Sequence, residues 1–261
     1  MAKAIDVIKR LENLSPNNFA ANWDNVGFLL GRNDKLINKA IVCVDVDEDI
    51  IDKAIANKVD LIVSHHPLIF SGIKRITNED FMGKRLIKLI QADICVYSMH
   101  TNFDVMGMAD AAAEKIDLMD TKVLEVTYED DIATEGFGRV GQLKQDLTLE
   151  EVAKLVKDKF KLESVKVFGT PDNICCDVAI CPGSGKSMAK HVVKAGVDVF
   201  ISGDIDHHTG IDLVAEGIAV IDAGHYGLEK IFIPYVTDYI NKTMQDIIVL
   251  EDESINPFWV F

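Results

Sequence analysis

Short apolar runs alternate with helix-like segments through most of this chain, and the alternation predicts its fold class. Strands are predicted at residues 40–46, 59–64, 94–99, 177–181, 197–202, 218–222 and 246–250. Helices are predicted between or beside them at residues 4–14, 48–57, 79–91, 186–195, 208–216 and 226–240. This order of elements is typical of α/β proteins in which largely parallel sheets are flanked by helices.

The alternation occurs twice, which indicates an internal duplication. Residues 42–64 align without a gap on residues 180–202, an offset of 138 positions (202 − 64). Both copies end in a β-rich run that closes on a serine, Ser64 in the first and Ser202 in the second. Two copies are too few for a stacked solenoid, so the repeat predicts two similar α/β lobes.

A different pattern separates the two copies. Residues 138–143 and 165–168 are strand-like, and Thr148-Leu149-Glu150-Glu151 is a capping box that opens a helix running to residue 159. We therefore predict three regions: an N-terminal α/β lobe at residues 1–120, a short β-α-β connector at 121–176 and a C-terminal α/β lobe at 177–261.

Composition and charge argue against several classes of protein. The net charge of −15 disfavours general binding to nucleic acid or anionic membranes, because such binding depends on basic residues. No apolar run has the length of a membrane span, and residues 1–13 lack the apolar segment of a signal peptide. The five cysteines are odd in number and form no C-x-x-C pair. We therefore expect a cytoplasmic protein whose thiols are reduced and mostly buried.

Histidines and acids cluster where the predicted strands end. The residues at these positions are His65, His66, His100, Asp104, Gly203, Asp204, His225 and Glu229. Asp104 follows His100 by four residues, as Glu229 follows His225. A helix that begins at such a histidine places both side chains on one face, where they can reach one metal ion. Because ligands of α/β sheets gather beyond the carboxyl ends of the strands, these residues predict a metal site.

The number of donors indicates two ions rather than one. Five or six nitrogen and oxygen ligands exceed what one tetrahedral zinc uses, so a pair of divalent ions about 3.5 to 4 Å apart fits better. Such a pair activates water near neutral pH, as hydrolysis of a phosphoester, an amide or a purine ring carbon requires. The ligand types accept zinc, iron, manganese or nickel, and the sequence leaves that choice open.

The glycine-rich segment Cys181-Pro182-Gly183-Ser184-Gly185-Lys186-Ser187 departs from the P-loop motif. The first glycine of that motif belongs at position 180, which is Ile180. A tight turn without a phosphate is the favoured interpretation. The basic pairs Lys74-Arg75 and Lys84-Arg85 suit a phosphorylated small molecule and equally suit a solvated helix face.

Six segments together make the chain resemble the GTP cyclohydrolase I type 2 homologue family, also called the NGG-interacting-factor-like family. They are Asn22-Trp23-Asp24-Asn25-Val26-Gly27, Ser64-His65-His66-Pro67, His100-Thr101-Asn102-Phe103-Asp104, Gly183-Ser184-Gly185, Ser202-Gly203-Asp204 and Gly224-His225-Tyr226-Gly227-Leu228-Glu229. The likeness covers nearly the whole chain. Longer members carry a large insertion between the lobes, where this chain has only the short connector.

The resemblance implies both a site and an assembly. It implies a dinuclear metal centre with the ligands His65, His66, Asp104, His225 and Glu229, in which the glutamate bridges. It also implies a toroidal homohexamer whose sites face an inner cavity. The uncharged segment at residues 255–261 is expected to be buried against the body of the protein or a neighbouring subunit.

The family name implies hydrolytic opening of the guanine imidazole ring of GTP, with His100 or His208 transferring protons. Two other functions stay open at this point. One is a metal-binding assembly or regulatory protein without turnover, and the other is a metal-dependent phosphoesterase. The same ligands would serve all three, so the sequence does not separate them.

Overall fold

In the computed structural model, which describes residues 2–253 and 256–259, the chain forms two α/β units. Each has a mixed β-sheet, so the prediction of an α/β fold is confirmed and that of largely parallel sheets holds for the first unit only. None of the helices in the described part of the chain combines the length and the hydrophobicity of a membrane-spanning segment.

The first unit contains Met1–Phe103 and Phe232–Ile255. Its strands are β1 (Ala2–Lys3), β2 (Gly27–Leu30), β3 (Leu36–Ile37), β4 (Lys39–Cys43), β5 (Leu61–Ser64), β6 (Cys95–Ser98) and β13 (Ile248–Glu251). Its helices are α1 (Ala4–Leu14), α2 (Glu48–Ala56), α3 (Phe81–Gln91), α4 (Thr101–Phe103) and α10 (Phe232–Thr243). The main sheet has the order β13-β4-β5-β6-β2, and β2 alone runs antiparallel to its neighbour.

The second unit contains Asp104–Ile231 and Asn256–Phe261. Its strands are β7 (Met119–Glu129), β8 (Thr134–Thr148), β9 (Lys166–Phe168), β10 (Ile174–Ser184), β11 (Val199–Gly203) and β12 (Ala219–Asp222). Its helices are α5 (Ala109–Lys115), α6 (Leu149–Phe160), α7 (Ala189–Ala195), α8 (His207–Ala215) and α9 (His225–Glu229). A π-helical turn at Asp104–Met108 precedes α5, and the sheet order is β7-β8-β10-β11-β12-β9.

The two units share a three-stranded parallel core with the same register. Ala40 pairs with Leu61 between β4 and β5, and Val178 pairs with Val199 between β10 and β11. Val178 lies 138 positions after Ala40, and Val199 lies 138 positions after Leu61, which is the predicted offset (178 − 40 and 199 − 61). The equivalence of the two sheet cores therefore agrees with the sequence repeat, while common origin by duplication stays a prediction.

The compact units differ from the predicted regions 1–120, 121–176 and 177–261. The connector strands β8 and β9 join the edges of the second sheet, β8 beside β10 and β9 beside β12. The C-terminal strand β13 pairs with β4 of the first unit instead of joining its own predicted lobe. In each case an apolar parallel strand gains a hydrogen-bonded neighbour for an edge that would otherwise be open.

The predicted helix at residues 226–240 is wrong in one respect, because the structure divides it into α9 and α10. Pro234 lies in the first turn of α10. A proline ring clashes with the carbonyl group four residues earlier and donates no hydrogen bond, so a helix can begin near Pro234 but cannot run through it. The interruption ends α9 at Glu229, the predicted ligand.

The cysteines are free, and only Cys176 is partly exposed. Burial, with a smaller contribution from the carboxylate of Asp198, raises the pKa of the Cys175 thiol to about 11. A raised pKa lowers the thiolate fraction at pH 8, so we expect Cys175 to react with iodoacetamide about a hundredfold more slowly than free cysteine. Peptide mass spectrometry of native and urea-unfolded protein measures this. Equal rates in the two states would contradict the expected protection.

Candidate metal centre

His65 is fixed in one orientation directly after β5. Its backbone N–H continues the strand pairing by donating to the carbonyl of Cys43, at 3.1 Å. Its side chain is fully buried, and Nδ1 lies 2.8 Å from the carbonyl oxygen of Met99. A carbonyl oxygen only accepts hydrogen bonds, so Nδ1 carries the proton and Nε2 carries the lone pair. This is the tautomer that binds a metal through Nε2.

His66 has the same arrangement with a carboxylate as its partner. Nδ1 of His66 lies 2.8 Å from Oδ1 of Asp45, two residues beyond the end of β4. An ionised carboxylate also only accepts, so Nδ1 carries a proton and Nε2 of the neutral ring carries the lone pair. Carboxylates that hold the far nitrogen of a histidine commonly orient metal ligands and increase their basicity. Asp45 was not among the predicted site residues.

His100 is held by Asp24, whose side chain is buried. Nδ1 of His100 lies 2.9 Å from Oδ1 of Asp24, and Thr101 donates to Oδ2 from its backbone N–H and its hydroxyl group. Burial alone would raise the pKa of Asp24. The hydrogen bonds from His100 and Thr101 outweigh it and lower that pKa to about 2. Asp24 therefore stays ionised and orients His100 at neutral pH.

These three histidines lie together in the first unit. His65, His66 and His100 each offer a ring nitrogen, and the three nitrogens lie within 4.8 Å of one another. Three imidazole nitrogens at this spacing could hold a divalent ion. Sequence reasoning had separated His100 from the ligands, and the structure places its ring beside theirs.

In the second unit, His225 and Glu229 occupy one face of α9, as their spacing predicts. Nε2 of His225 lies 3.0 Å from Oε2 of Glu229, and Nδ1 lies 2.7 Å from Oδ2 of Asp204. A neutral imidazole has one proton and cannot donate to both carboxylates. A second ring proton, a proton on one of the carboxyl groups or a metal cation is therefore needed to complete this arrangement. The donor set fits a divalent cation on this ground.

The turn at Gly183 makes room for the Glu229 carboxylate, which is only 2% exposed. Gly183 has φ = +80°, and a Cβ at this position would lie 2.6 Å from Oε1 of Glu229. Only glycine combines this backbone conformation with so close an approach. The glycine-rich turn, which does not match the P-loop motif, thus has a structural role, because it leaves room for a buried carboxylate.

Asp104 opens the π-helical turn at the start of the second unit. Burial raises the pKa of the nearby Cys181 thiol, and the negative charges of Asp104, Glu125 and Glu229 raise it further. The positive charge of Arg139 opposes this effect, and the three carboxylates outweigh it. π-Helical turns occur often at functional sites, where the extra residue redirects a side chain.

The surroundings of His208 differ from those of the other candidate residues. It is exposed on the first turn of α8, and its ring contacts that of His207 with centroids 5.3 Å apart. Within residues 2–253 and 256–259, it belongs to no group of three potential metal ligands. The structure therefore gives His208 no partner of the kind that orients His100.

The partners Asp24, Asp45 and Asp204 were missed as orienting groups, although two of them had a sequence signal. Asp45 lies near the end of the predicted strand 40–46 and Asp204 lies two residues beyond the predicted strand 197–202, so the strand-end rule that identified the histidines applies to both. Asp24 lies in a loop before β2, and only the fold brings it to His100.

Comparison with known proteins places these features in a family. The family model described as Duf34/NIF3 (NGG1p interacting factor 3) matches residues 2–256. A protein of Clostridium acetobutylicum named "GTP cyclohydrolase 1 type 2 homolog" is 34% identical over 229 residues, covering 87% of this chain and 85% of its own length. A protein of the same name from Streptococcus pneumoniae is 34% identical over 266 residues, with 98% of each chain covered.

A solved structure has the same fold. It is that of a Bacillus cereus protein related to NIF3, with a TM-score of 0.91, 22% sequence identity and coverage of 100% of this chain and 99% of that one. At this identity the likeness concerns the fold alone.

Proposed function

This chain belongs to the Duf34/NIF3 family, and we propose that it is a metal-dependent hydrolase of a nucleotide. Its centre holds two divalent ions through His65, His66, Asp104, His225 and Glu229. GTP is the first substrate to test, because relatives carry the name "GTP cyclohydrolase 1 type 2 homolog".

The observation that carries the proposal is the shared arrangement of the histidines. In His65, His66 and His225, Nδ1 lies 2.7 to 2.8 Å from a carbonyl or carboxylate oxygen. Each ring is thereby oriented with Nε2 toward its neighbouring donors. Histidines that served only to pack the core would not all need an oxygen acceptor at Nδ1.

The proposal requires the donors of both units to share one centre. Chain connectivity supports this requirement. The chain passes from the first unit to the second between Phe103 and Asp104, returns between Ile231 and Phe232, and passes to the second unit again after residue 255. Asp104 is thus the first residue after the first crossing, and Glu229 lies two residues before Ile231, the last residue before the second crossing. The carboxylate donors of the second unit therefore lie next to its covalent junctions with the first.

Each residue then has a distinct task. Divalent ions held by the five ligands would act as Lewis acids and supply a nucleophile from water near neutral pH. Asp24 holds the proton of His100 on Nδ1, so Nε2 of His100 can accept a proton from a reacting group and return it. The ionised Asp24 also stabilises the imidazolium ring that forms in between. His100 is the better candidate for this task than the exposed His208.

The proposal predicts different effects for ligands and proton carriers. Alanine at any of the five ligand positions should abolish turnover, because the metal is lost. Both His100→Ala and His208→Ala should retain the metal. A proton-transfer role predicts a decrease in kcat of about 10²-fold or more, and we expect the larger decrease in His100→Ala. The measurement is incubation of metal-reconstituted protein with GTP and a panel of phosphoesters, with products separated by chromatography.

The outcomes of this panel decide among the three functions. Turnover of GTP that persists in His225→Ala protein would come from a contaminant. Hydrolysis of a simple phosphoester without ring opening would favour a phosphoesterase. A metal-loaded wild type that is inert toward every compound would favour the non-catalytic assembly.

The toroidal homohexamer implied by the family resemblance is proposed here as well. Phe258 and Trp259 are 55% and 77% exposed in the single chain, and residues 255, 260 and 261 lie outside the described residues. Burial in a neighbouring subunit would remove this apolar surface from water. We expect light scattering at micromolar concentration to give six times the chain mass of 28.9 kDa. A stable monomer would contradict the hexamer.

A further inference from the structure

Two exposed aromatic rings lie beside the histidine group of the first unit. Trp23 is 63% exposed and Phe70 is 56% exposed, and their ring centroids are 6.0 Å apart. The ring centroid of His100 lies 6.0 Å from that of Trp23 and 6.5 Å from that of Phe70. Large aromatic side chains that stay exposed next to a cluster of functional groups commonly mark a binding surface.

The backbone around both rings is anchored. Asp24, the neighbour of Trp23, accepts the hydrogen bonds of His100 and Thr101, and the backbone N–H of Ala21 donates to the Thr101 hydroxyl at 2.9 Å. The side-chain amide of Asn25 donates to the carbonyl of Ile69, next to Phe70. The two ring-bearing segments are therefore tied to each other and to His100. The exposed position of the rings is built into the fold.

The loop that contains Phe70 differs in charge from the whole chain. Residues 67–78, which include Phe70, contain Lys74 and Arg75 and no acidic residue, whereas the chain carries a net charge of −15. Lys74 and Arg75 are exposed. Lys74 and Arg75 therefore give this loop a local positive charge that attracts a polyanionic ligand, on a protein whose net negative charge repels one.

We propose that Trp23 and Phe70 form a stacking platform for the purine ring of a nucleotide, with the Lys74-Arg75 loop facing its phosphates. The inference rests on the proposed function and specifies its substrate class. Stacking on an aromatic ring recognises a planar base by its π face, and the nearby histidines would then meet the edge of the same base. The platform accounts for an exposed indole and phenyl ring at this position, which the metal ligands do not.

Tryptophan fluorescence tests the platform directly, because Trp23 and Trp259 are the two tryptophans of the chain. Trp259→Phe leaves Trp23 as the reporter. In this background we expect saturable quenching by GTP and by guanosine, with and without EDTA, and no quenching by inorganic triphosphate. Phe70→Ala should weaken both affinities about tenfold. The double variant Lys74→Ala, Arg75→Ala should weaken binding of GTP and leave guanosine unchanged.

Phe81→Ala is the matched control, because Phe81 is 61% exposed and begins α3, another element of the same unit. Absence of quenching by either nucleobase compound up to millimolar concentration would overturn the platform, as would equal affinities in Phe70→Ala and Phe81→Ala proteins. A drop in molecular mass on Phe70→Ala would overturn it too, because the rings would then form a contact between copies. Quenching without turnover would support the platform and contradict the hydrolase.

Discussion

Glu229→Ala is expected to reduce the metal content of reconstituted protein from about two ions per chain to well below one. The physical reason is the proposed bridging position, in which one carboxylate serves both ions. Its side chain is buried, so alanine leaves a gap and removes negative charge at the same time. Elemental analysis after reconstitution with zinc or manganese and removal of excess metal gives the number directly.

Two further variants make this result specific. Glu229→Gln keeps the shape of the side chain and removes its charge, so it should also lose metal. Glu216→Ala removes an exposed carboxylate at the end of α8 and should retain both ions. An alanine variant at Glu229 that keeps both ions would show the ligand assignment to be wrong. Loss of one ion only would make Glu229 a terminal ligand instead of a bridge.

Gly183→Ala is expected to lose metal almost as completely, although it removes no ligand. The added Cβ would lie 2.6 Å from Oε1 of Glu229, a distance that forces the carboxylate to move. Ligands displaced by even about 1 Å fall outside the narrow range of metal–oxygen distances. We expect the variant to fold, to retain less than about a tenth of the wild-type metal and to lose turnover in proportion.

Gly217→Ala is the control for this substitution. Gly217 has φ = +86°, close to the value at Gly183, and a Cβ there meets no atom within 4 Å. Both variants therefore pay a similar backbone penalty of about 1–2 kcal/mol, and only Gly183→Ala pushes on the carboxylate. Equal metal content in the two proteins would attribute any loss to backbone strain and would remove the role of Gly183 in positioning Glu229.

The sequence predicted the parallel core of each unit well, because its strands are apolar runs buried on both faces. Helix α1 has the bounds predicted for it, and the capping box of Thr148 and Glu151 is present at the start of α6. Strand β7 was not predicted. It is largely exposed and rich in polar residues, so it has neither an apolar run nor strict alternation, and its pairing with β8 fixes it as a strand.

His65, His66, His100, His225 and Glu229 could be named as candidate donors from the sequence because strand ends and four-residue spacings are local properties. The carboxyl ends of parallel strands meet at one edge, so the strand pattern alone indicated that the donors within a sheet lie close together. The amino-acid sequence alone thus determined the fold class, the repeated strand register and the types of donor groups at the strand ends.

Only the tertiary structure decided which atoms of those side chains are available. The tautomers of His65, His66 and His100 follow from Met99, Asp45 and Asp24, which are 34, 21 and 76 residues away along the chain. The approach of Glu229 to Gly183, and the addition of β13 to the first sheet, likewise join distant segments. Such contacts depend on packing between elements, which no local pattern of hydrophobic and polar residues encodes.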